Sequence, residues 1–130
     1  MPYTINHVHI RSMDPHSSAA WYERHFEAKI VSEREVMPGT ITIGMEVGGS
    51  CRLNISSKPA GSSDERAAAE LNRLGLEHFG FDVENLKEEL ERLEKANIRI
   101  VLPFTDVGRG TCLAYIEGPD DVLIELVEHK

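Results

Sequence analysis

The sequence predicts an α+β domain built from two tandem βαβββ modules, whose strands form a curled mixed sheet cup with the helices outside. Three observations support this prediction. The strand-like segment Ile5–Ile10 recurs at Leu76–Val83, and the spacing from His7 to His78 defines a repeat offset between the two halves. Each segment is followed by one helical pattern and three strand patterns. We use the term repeat offset for the difference in residue number between His7 and His78. When this difference is added to each position of the first half, the patterns of the two halves stay in register without a gap, which two unrelated halves would rarely do over five elements.

Length and composition narrow the class of protein. The chain has 130 residues, which suits one domain with a real core, and its net charge of −8 disfavours nucleic acid or an anionic membrane as partner. It has no membrane-length apolar run and no signal-peptide pattern, and its cysteines, Cys51 and Cys112, are not closely spaced. We therefore expect a reduced, cytoplasmic protein whose partner is a small molecule.

The first module is assigned to residues 4–57. Its helix is predicted at Pro15–Phe26, because Asp14 suits the N-cap and Pro15 the first helical position. Segments with alternating or β-branched residues, separated by Pro38-Gly39 and Gly48-Gly49, are predicted as strands. These strands are Thr4–Arg11, Ala28–Val36, Thr40–Val47 and Cys51–Ser56.

Residues 58–75 are predicted to link the modules. The stretch Ser62–Glu65 fits a capping box, and apolar residues follow at helical spacing until Gly75, a residue type that commonly ends helices. These apolar residues are Ala67, Ala68, Leu71 and Leu74. A short linking helix is therefore expected.

The second module is assigned to residues 76–128. Its helix is predicted to begin after the capping residue Asn85 and to bury a leucine stripe. The first strand after the helix is predicted to end at Pro103, and Gly118–Asp121 is predicted to form a turn before the last strand. The predicted strands are Leu76–Val83, Ile98–Leu102, Gly110–Glu117 and Val122–Glu128.

The repeat also predicts a metal site. Two copies of one module are expected to be related by an approximate two-fold axis, which places His7 opposite His78 and Asn54 opposite Glu125. A carboxylate inside the apolar run Val122–Val127 is costly to bury unless its charge is compensated. Two imidazoles and a carboxylate are a common set of metal ligands that leaves positions open for water or substrate. We therefore predict that His7, His78 and Glu125 bind a divalent metal.

Each of these residues also has a simpler interpretation. Taken alone, His78 can be a partly buried structural histidine, and Glu125 can pair with an arginine such as Arg52 or Arg109. His9 shares the face of His7, but its repeat equivalent is Gly80, which argues against a primary ligand. His9 is then a polar residue that lines the site, a residue that hydrogen-bonds to the metal ligands, or an acid–base residue.

Three segments carry a family resemblance. They are Ile5–Val8 with Trp21-Tyr22 in the following helix, Glu77–Phe81, and Gly118–Leu126. Together they resemble the vicinal oxygen chelate superfamily, which contains glyoxalase I, methylmalonyl-CoA epimerase, fosfomycin thiol transferases, extradiol dioxygenases and bleomycin-binding proteins. The resemblance implies paired βαβββ modules around a metal, the ligands named above, and a homodimer.

One departure from that pattern concerns Asn54. Glyoxalase-like and epimerase-like members place a fourth ligand, Glu or Gln, at this position, and asparagine cannot act as a general base at neutral pH. The base is then Glu125, His9 or a metal-bound hydroxide. Asn54 becomes a candidate substrate-binding residue, with Arg109, which can clamp an anionic substrate, and Tyr115, which matches the tyrosine that dioxygenases place beside iron.

The leading functional hypothesis is a metal-dependent lyase or isomerase of glyoxalase or epimerase type. Its divalent metal (Mn, Ni, Fe, Zn, Co or Mg) would act as a Lewis acid that stabilises an enediolate formed from a small carbonyl substrate. One alternative is an Fe(II)-dependent ring-cleaving dioxygenase, and another is a metal-free small-molecule binding or resistance protein. The sequence leaves open the substrate, the metal, and whether the modules pair within one chain or between chains.

Overall fold

The computed structural model describes residues 2–63 and 68–130, and it divides into two compact units, Met1–Glu65 and Arg66–Lys130. Each unit contains one helix and one four-stranded mixed sheet, which confirms the predicted fold class. The elements in chain order are β1 His7–Ser12, α1 Pro15–Phe26, β2 Lys29–Met37, β3 Thr40–Glu46, β4 Arg52–Ser57, β5 Phe79–Asp82, α2 Leu86–Lys95, β6 Ile100–Gly108, β7 Thr111–Gly118 and β8 Val122–His129. A 3₁₀ turn at Pro119–Asp121 joins β7 to β8.

The first unit has the strand order β1-β4-β3-β2. The neighbours β1 and β4 are parallel, and the other two pairs are antiparallel. One face of this sheet packs against α1 and forms the core, while the opposite face carries the polar side chains. The largest fully buried apolar side chains of this unit are Tyr22, Ile43, Met45 and Ile55.

The second unit repeats this arrangement with the order β5-β8-β7-β6. Here β5 and β8 are parallel, and the remaining pairs are antiparallel. Leucines at the spacing of one helix face bury α2 against its own sheet. The largest fully buried side chains of this unit are Leu86, Leu93, Ile116, Ile124 and Leu126.

The repeat offset that relates the two halves extends to individual strand pairings. His9 lies opposite Asn54 in the first unit, and Gly80 lies opposite Glu125 in the second, so both members of the pair are shifted by the same amount. The helix caps follow the same rule, since the side chains of Asp14 and Asn85 accept hydrogen bonds from backbone N–H groups of the first turn. The repeat inferred from the sequence is therefore a structural repeat.

Three predicted strands have clearly wrong boundaries. The first, predicted at Thr4–Arg11, begins only at His7. The strand predicted at Leu76–Val83 covers only Phe79–Asp82, so His78 lies immediately before β5. The strand predicted to end before Pro103 continues through it as Ile100–Gly108. This is possible because β6 is an edge strand and its pairing with β7 is irregular at the proline, where no ladder N–H is required.

The predicted linking helix is also absent from the described part of the linker, residues 58–63 and 68–75. Asp64, Glu65 and Ala67, on which part of that prediction rests, lie outside the described residues. Asn72, which lies inside the predicted helix, has a φ of +67°, a value that a right-handed helix does not accommodate.

Neither α1 nor α2 is long enough and apolar enough to cross a membrane, and no other helix of that kind occurs in residues 2–63 and 68–130.

The two repeat-equivalent caps provide a test of this architecture. Asp14→Ala and Asn85→Ala are each expected to lower the free energy of unfolding by about 1 kcal/mol, because each leaves a backbone N–H of the first helical turn without its acceptor. Chemical denaturation followed by circular dichroism measures the change. Glu23→Ala, on the exposed face of α1, is the control, and an equal loss in all three variants would contradict the assignment.

Candidate functional site

In the first unit, the parallel pairing of β1 and β4 places the predicted site residues side by side. His7 lies opposite Arg52, and His9 lies opposite Asn54. The His9 Nε2 atom is 2.8 Å from Ser56 Oγ, so the ring is held by a hydroxyl on β4. His7 and His9 have ring centroids 6.5 Å apart.

The hydrogen bond to His9 continues into the sheet. Ser56 is 2 % exposed, and its Oγ lies 2.7 Å from Thr42 Oγ1 on β3. Both hydroxyls can donate or accept, so the direction of this short chain can reverse with the protonation of the imidazole. Burial, with added repulsion from Arg11 and His7, lowers the pKa of His9 below its ordinary value of 6.5. His9 is therefore mainly neutral at pH 7.

In the second unit, His78 and Glu125 form a close pair. The Nε2 atom of His78 is 3.6 Å from Oε1 of Glu125, and the two side chains are only partly exposed, at 27 % and 19 %. Gly80 on β5 lies opposite Glu125, and a Cβ added to Gly80 would come within 3.3 Å of Glu125 Oε1. The glycine therefore leaves room for the carboxylate beside β5.

Tyr115 holds the second oxygen of the same carboxylate. Its hydroxyl donates a hydrogen bond of 3.0 Å to Glu125 Oε2, and its ring meets the ring of His78 edge to face at 5.0 Å. Burial, reinforced by the hydrogen bond to Glu125, raises the pKa of Tyr115 to about 12. The phenol therefore remains a donor at neutral pH and orients Glu125 next to His78.

Each histidine at the repeated position has a partner in the preceding residue, which the sequence interpretation missed. His7 Nδ1 is 2.8 Å from Asn6 Oδ1, and His78 Nδ1 is 2.7 Å from Glu77 Oε1. Asn6 and Glu77 are themselves related by the repeat offset, so that offset was a signal that could have found them. A carboxylate or amide oxygen at Nδ1 favours the tautomer protonated there, which leaves the Nε2 lone pair available to a ligand.

Glu77 is itself held in place. Its Oε2 accepts a hydrogen bond from the backbone N–H of Asn72, while its Oε1 faces His78. The hydrogen bond with His78, followed by that from Asn72, lowers the pKa of Glu77 below its ordinary value of 4.5. The residue is therefore a carboxylate acceptor at neutral pH.

The structure does not bring Arg109 to the pair formed by His78 and Glu125. Arg109 occupies the turn between β6 and β7 with φ of +56°, and it is exposed. Measured along the extended strand, it lies about 20 Å before Tyr115. A substrate contact by Arg109 therefore requires a ligand that reaches this turn.

Within residues 2–63 and 68–130, no three side chains of His, Cys, Asp or Glu are grouped so that they would hold a metal ion. The donor chemistry is nevertheless suitable for a metal, because His78 and Glu125 present an imidazole nitrogen and a carboxylate oxygen next to each other. His7 presents the equivalent imidazole in the first unit, with its Nδ1 occupied in the same way.

The two βαβββ units carry a histidine at the same repeated position. The protein therefore belongs to the class of folds that contain two copies of one βαβββ module. The family comparison agrees. A model of the Glyoxalase/Bleomycin resistance protein/Dioxygenase superfamily matches residues 4–126, and the chain belongs to this superfamily.

Solved structures show the same fold at low sequence identity. A glyoxalase family protein from Bacillus cereus is 20% identical with a TM-score of 0.84, over 99% of this chain and 95% of that chain. The trypanothione-dependent glyoxalase I of Leishmania major is 20% identical with a TM-score of 0.74, over 98% and 87%. The fosfomycin resistance protein FosX from Listeria monocytogenes is 16% identical with a TM-score of 0.74, over 100% and 96%. A search of curated proteins finds no match.

The surroundings of His9 predict its titration. In an NMR titration of the imidazole protons, the pKa of His9 is expected below 6.5, and Arg11→Gln is expected to raise it without reaching 6.5, since the cation is lost but the burial stays. Arg24→Gln, on the exposed side of α1, serves as the control. A His9 pKa at or above 6.5 in the unaltered protein would contradict this environment.

Proposed function

We propose that the protein is a metal-dependent lyase or isomerase of glyoxalase or epimerase type, acting on a small carbonyl compound. The observation that carries the proposal is the imidazole–carboxylate pair of His78 and Glu125, with the imidazole backed by Glu77. The repeat equivalent of this histidine, His7, is backed by Asn6 in the same manner. Structural histidines have no evident need for this arrangement in both halves.

In this proposal, His7, His78 and Glu125 supply the protein ligands of one divalent cation, drawn from Mn, Ni, Fe, Zn, Co and Mg. The histidines offer Nε2, because Nδ1 donates to Asn6 or to Glu77. When bound, such a cation supplies a Lewis acid for the negative charge that develops on a carbonyl oxygen. Glu125 offers Oε1, since its Oε2 accepts from the tyrosine hydroxyl.

We assign proton transfer to His9 first and to Glu125 second. A neutral His9 donates from Nε2 to Ser56 Oγ and keeps the Nδ1 lone pair for a substrate proton. Ser56 Oγ continues to accept from Nε2 of the imidazolium that forms, while the Ser56 hydroxyl can donate its own proton to Thr42 Oγ1. Asn54, which lies next to His9 on the neighbouring strand, binds substrate by hydrogen bonds and transfers no proton.

Tyr115 has two roles in the proposal. It orients Glu125, and its edge-on contact with His78 leaves the phenol beside the reacting groups as a substrate-binding residue. Arg109 lies in the turn between β6 and β7, far from Tyr115 along the strand. In the proposal it contacts the substrate only when the substrate is long enough to reach this turn. The substrate is a small molecule, and the assembly proposed from the superfamily resemblance is a homodimer.

The same tyrosine favours one second candidate, an Fe(II)-dependent ring-cleaving dioxygenase. Two histidines and a carboxylate would suit Fe(II), and the phenol beside His78 and Glu125 would supply a proton donor there. Oxygen uptake that depends on Fe(II) and a catechol would select this candidate. A metal-free binding protein is the third possibility, and it would be selected if His78→Ala left ligand affinity unchanged.

Metal content is the first test of the proposal. Purified protein is expected to contain about one divalent metal per chain by elemental mass spectrometry, and His78→Ala is expected to lose it, because removing one ligand of three costs several orders of magnitude in affinity. The matched control is His129→Ala, which removes an exposed histidine near the end of β8.

Failure of the unaltered protein to bind manganese, nickel, iron, cobalt, zinc or magnesium after exchange would refute the metal proposal. Steady-state assays with hemithioacetals and with acyl-CoA epimers then test the reaction type. Metal binding without turnover of either substrate class would reject the lyase or isomerase assignment and leave the metal site.

The partner of His78 provides a test that does not need activity. In ¹⁵N NMR of the metal-free protein, the Nδ1 of His78 is expected to be the protonated nitrogen, and Glu77→Ala is expected to shift the proton toward Nε2 and to weaken metal binding by about 10–100-fold. Glu77→Gln keeps an oxygen acceptor and should retain most of both properties.

Glu84→Ala, an exposed carboxylate of the same unit, is the control for this experiment. An unchanged tautomer in Glu77→Ala would show that the hydrogen bond from His78 does not determine which nitrogen is protonated.

A further inference from the structure

On the polar face of the first sheet, a glycine without a Cβ leaves a small recess in the backbone, and polar side chains of the neighbouring strands occupy it. Gly44 lies in the middle of β3, between Ser32 on β2 and Asn54 on β4. A Cβ added to Gly44 would lie 2.5 Å from Ser32 Oγ, 3.5 Å from Asn54 Oδ1 and 3.8 Å from Arg52 Nη1. Three polar side chains from two different strands therefore converge over this glycine. We call Ser32, Gly44, Arg52 and Asn54 the Gly44 recess.

The same position in the second unit is built differently. By the repeat offset, Gly44 corresponds to Tyr115 and Asn54 corresponds to Glu125. There a phenol and a carboxylate occupy the space and bind each other. In the first unit the carboxylate is replaced by an amide and the aromatic ring by a glycine. The recess is therefore a property of this half and not a consequence of the repeated fold.

Arg52 gives the recess a positive charge. Its repeat equivalent is Leu123, so the second unit has no arginine at this place. Arg52 is exposed, and across residues 2–63 and 68–130 no carboxylate forms an ion pair with it and no hydrogen bond from its guanidinium is found. Arg11 on β1, by comparison, donates to the backbone carbonyl of Ser57.

An arginine in this setting is notable in a chain whose net charge is −8, since carboxylates outnumber cations at 22 to 14. The strands that form this face contribute Arg34 as well, which lies opposite Thr42 and on the same face of β2 as Ser32. A guanidinium with a hydroxyl and an amide beside it matches the needs of an anionic group, which requires a cation and several hydrogen-bond donors together.

We propose that the Gly44 recess binds an anionic oxygen group of the substrate, with a carboxylate as the expected group. Arg52 forms the ion pair, Ser32 Oγ donates a hydrogen bond, and Asn54 donates from its side-chain amide after rotation of the amide group. The inference rests on the proposed function and deepens it, because it assigns the substrate to carbonyl compounds that carry a carboxylate, such as 2-oxo acids. Binding of the anionic group at the Gly44 recess does not itself require the metal.

The test uses the full chain in metal-free form, treated with a chelator, and follows ¹H–¹⁵N NMR spectra during titration with pyruvate. The neutral methyl ester of pyruvate is the matched probe without the charge. We expect saturable shifts at residues of the recess with pyruvate and none with the ester. Arg52→Gln is expected to weaken pyruvate binding at least tenfold, since a charge-assisted pair is lost.

Two further variants separate charge from space. Gly44→Ala keeps Arg52 but puts a methyl group against Ser32 Oγ, so it is expected to weaken binding as well. Arg24→Gln, which removes an exposed arginine from α1, is expected to bind pyruvate normally. Circular dichroism confirms that each variant is folded before its affinity is compared.

Each outcome bears on the proposal. Equal affinity in Arg52→Gln, equal binding of the ester, or no saturable binding of pyruvate or inorganic phosphate would overturn it. Tighter binding of inorganic phosphate than of pyruvate, with the same dependence on Arg52, would support the anion site and identify its ligand as a phosphate or phosphonate. Pyruvate binding by a protein that also fails to take up any of the divalent metals tested above would support the recess and reject only the metal-dependent reaction.

Discussion

The pairing of the first and last strands of each half is the constraint on which the rest depends. A parallel pair cannot be joined by a tight turn, so the chain builds a helix and two further strands before it returns. That return places His9 against Asn54 and Gly80 against Glu125. A slip of one residue would turn every polar side chain of β4 or β8 into the core, so the buried faces hold this register.

Within one register, the two halves have acquired opposite chemistry. The second unit presents a carboxylate bound by a phenol next to His78. The first presents an asparagine beside Arg52 over Gly44. A protein built from two copies of one module can in this way offer a donor set for a cation in one half and a cationic surface for an anion in the other. Divergence at a few positions is sufficient, because the backbone pairing does not depend on them.

The histidines illustrate how a neighbour in sequence determines chemistry. Asn6 and Glu77 precede their histidines directly, and each occupies Nδ1 of the following ring. The two differ in charge, since one is an amide and the other a carboxylate. The Nδ1–H of His78 therefore donates to the more basic acceptor. This makes Nε2 of His78 a stronger metal ligand than Nε2 of His7.

Local and periodic features of this protein could be predicted from its sequence. The limits of α1, its Asp14 cap and the repeat offset depend on neighbours in the chain or on spacing, and both are visible in the sequence. The continuation of β6 through Pro103 and the convergence of Ser32 and Arg52 over Gly44 were decided by the tertiary structure. Both depend on which strands lie side by side and at which edge, a contact between segments far apart in the chain that no local pattern records.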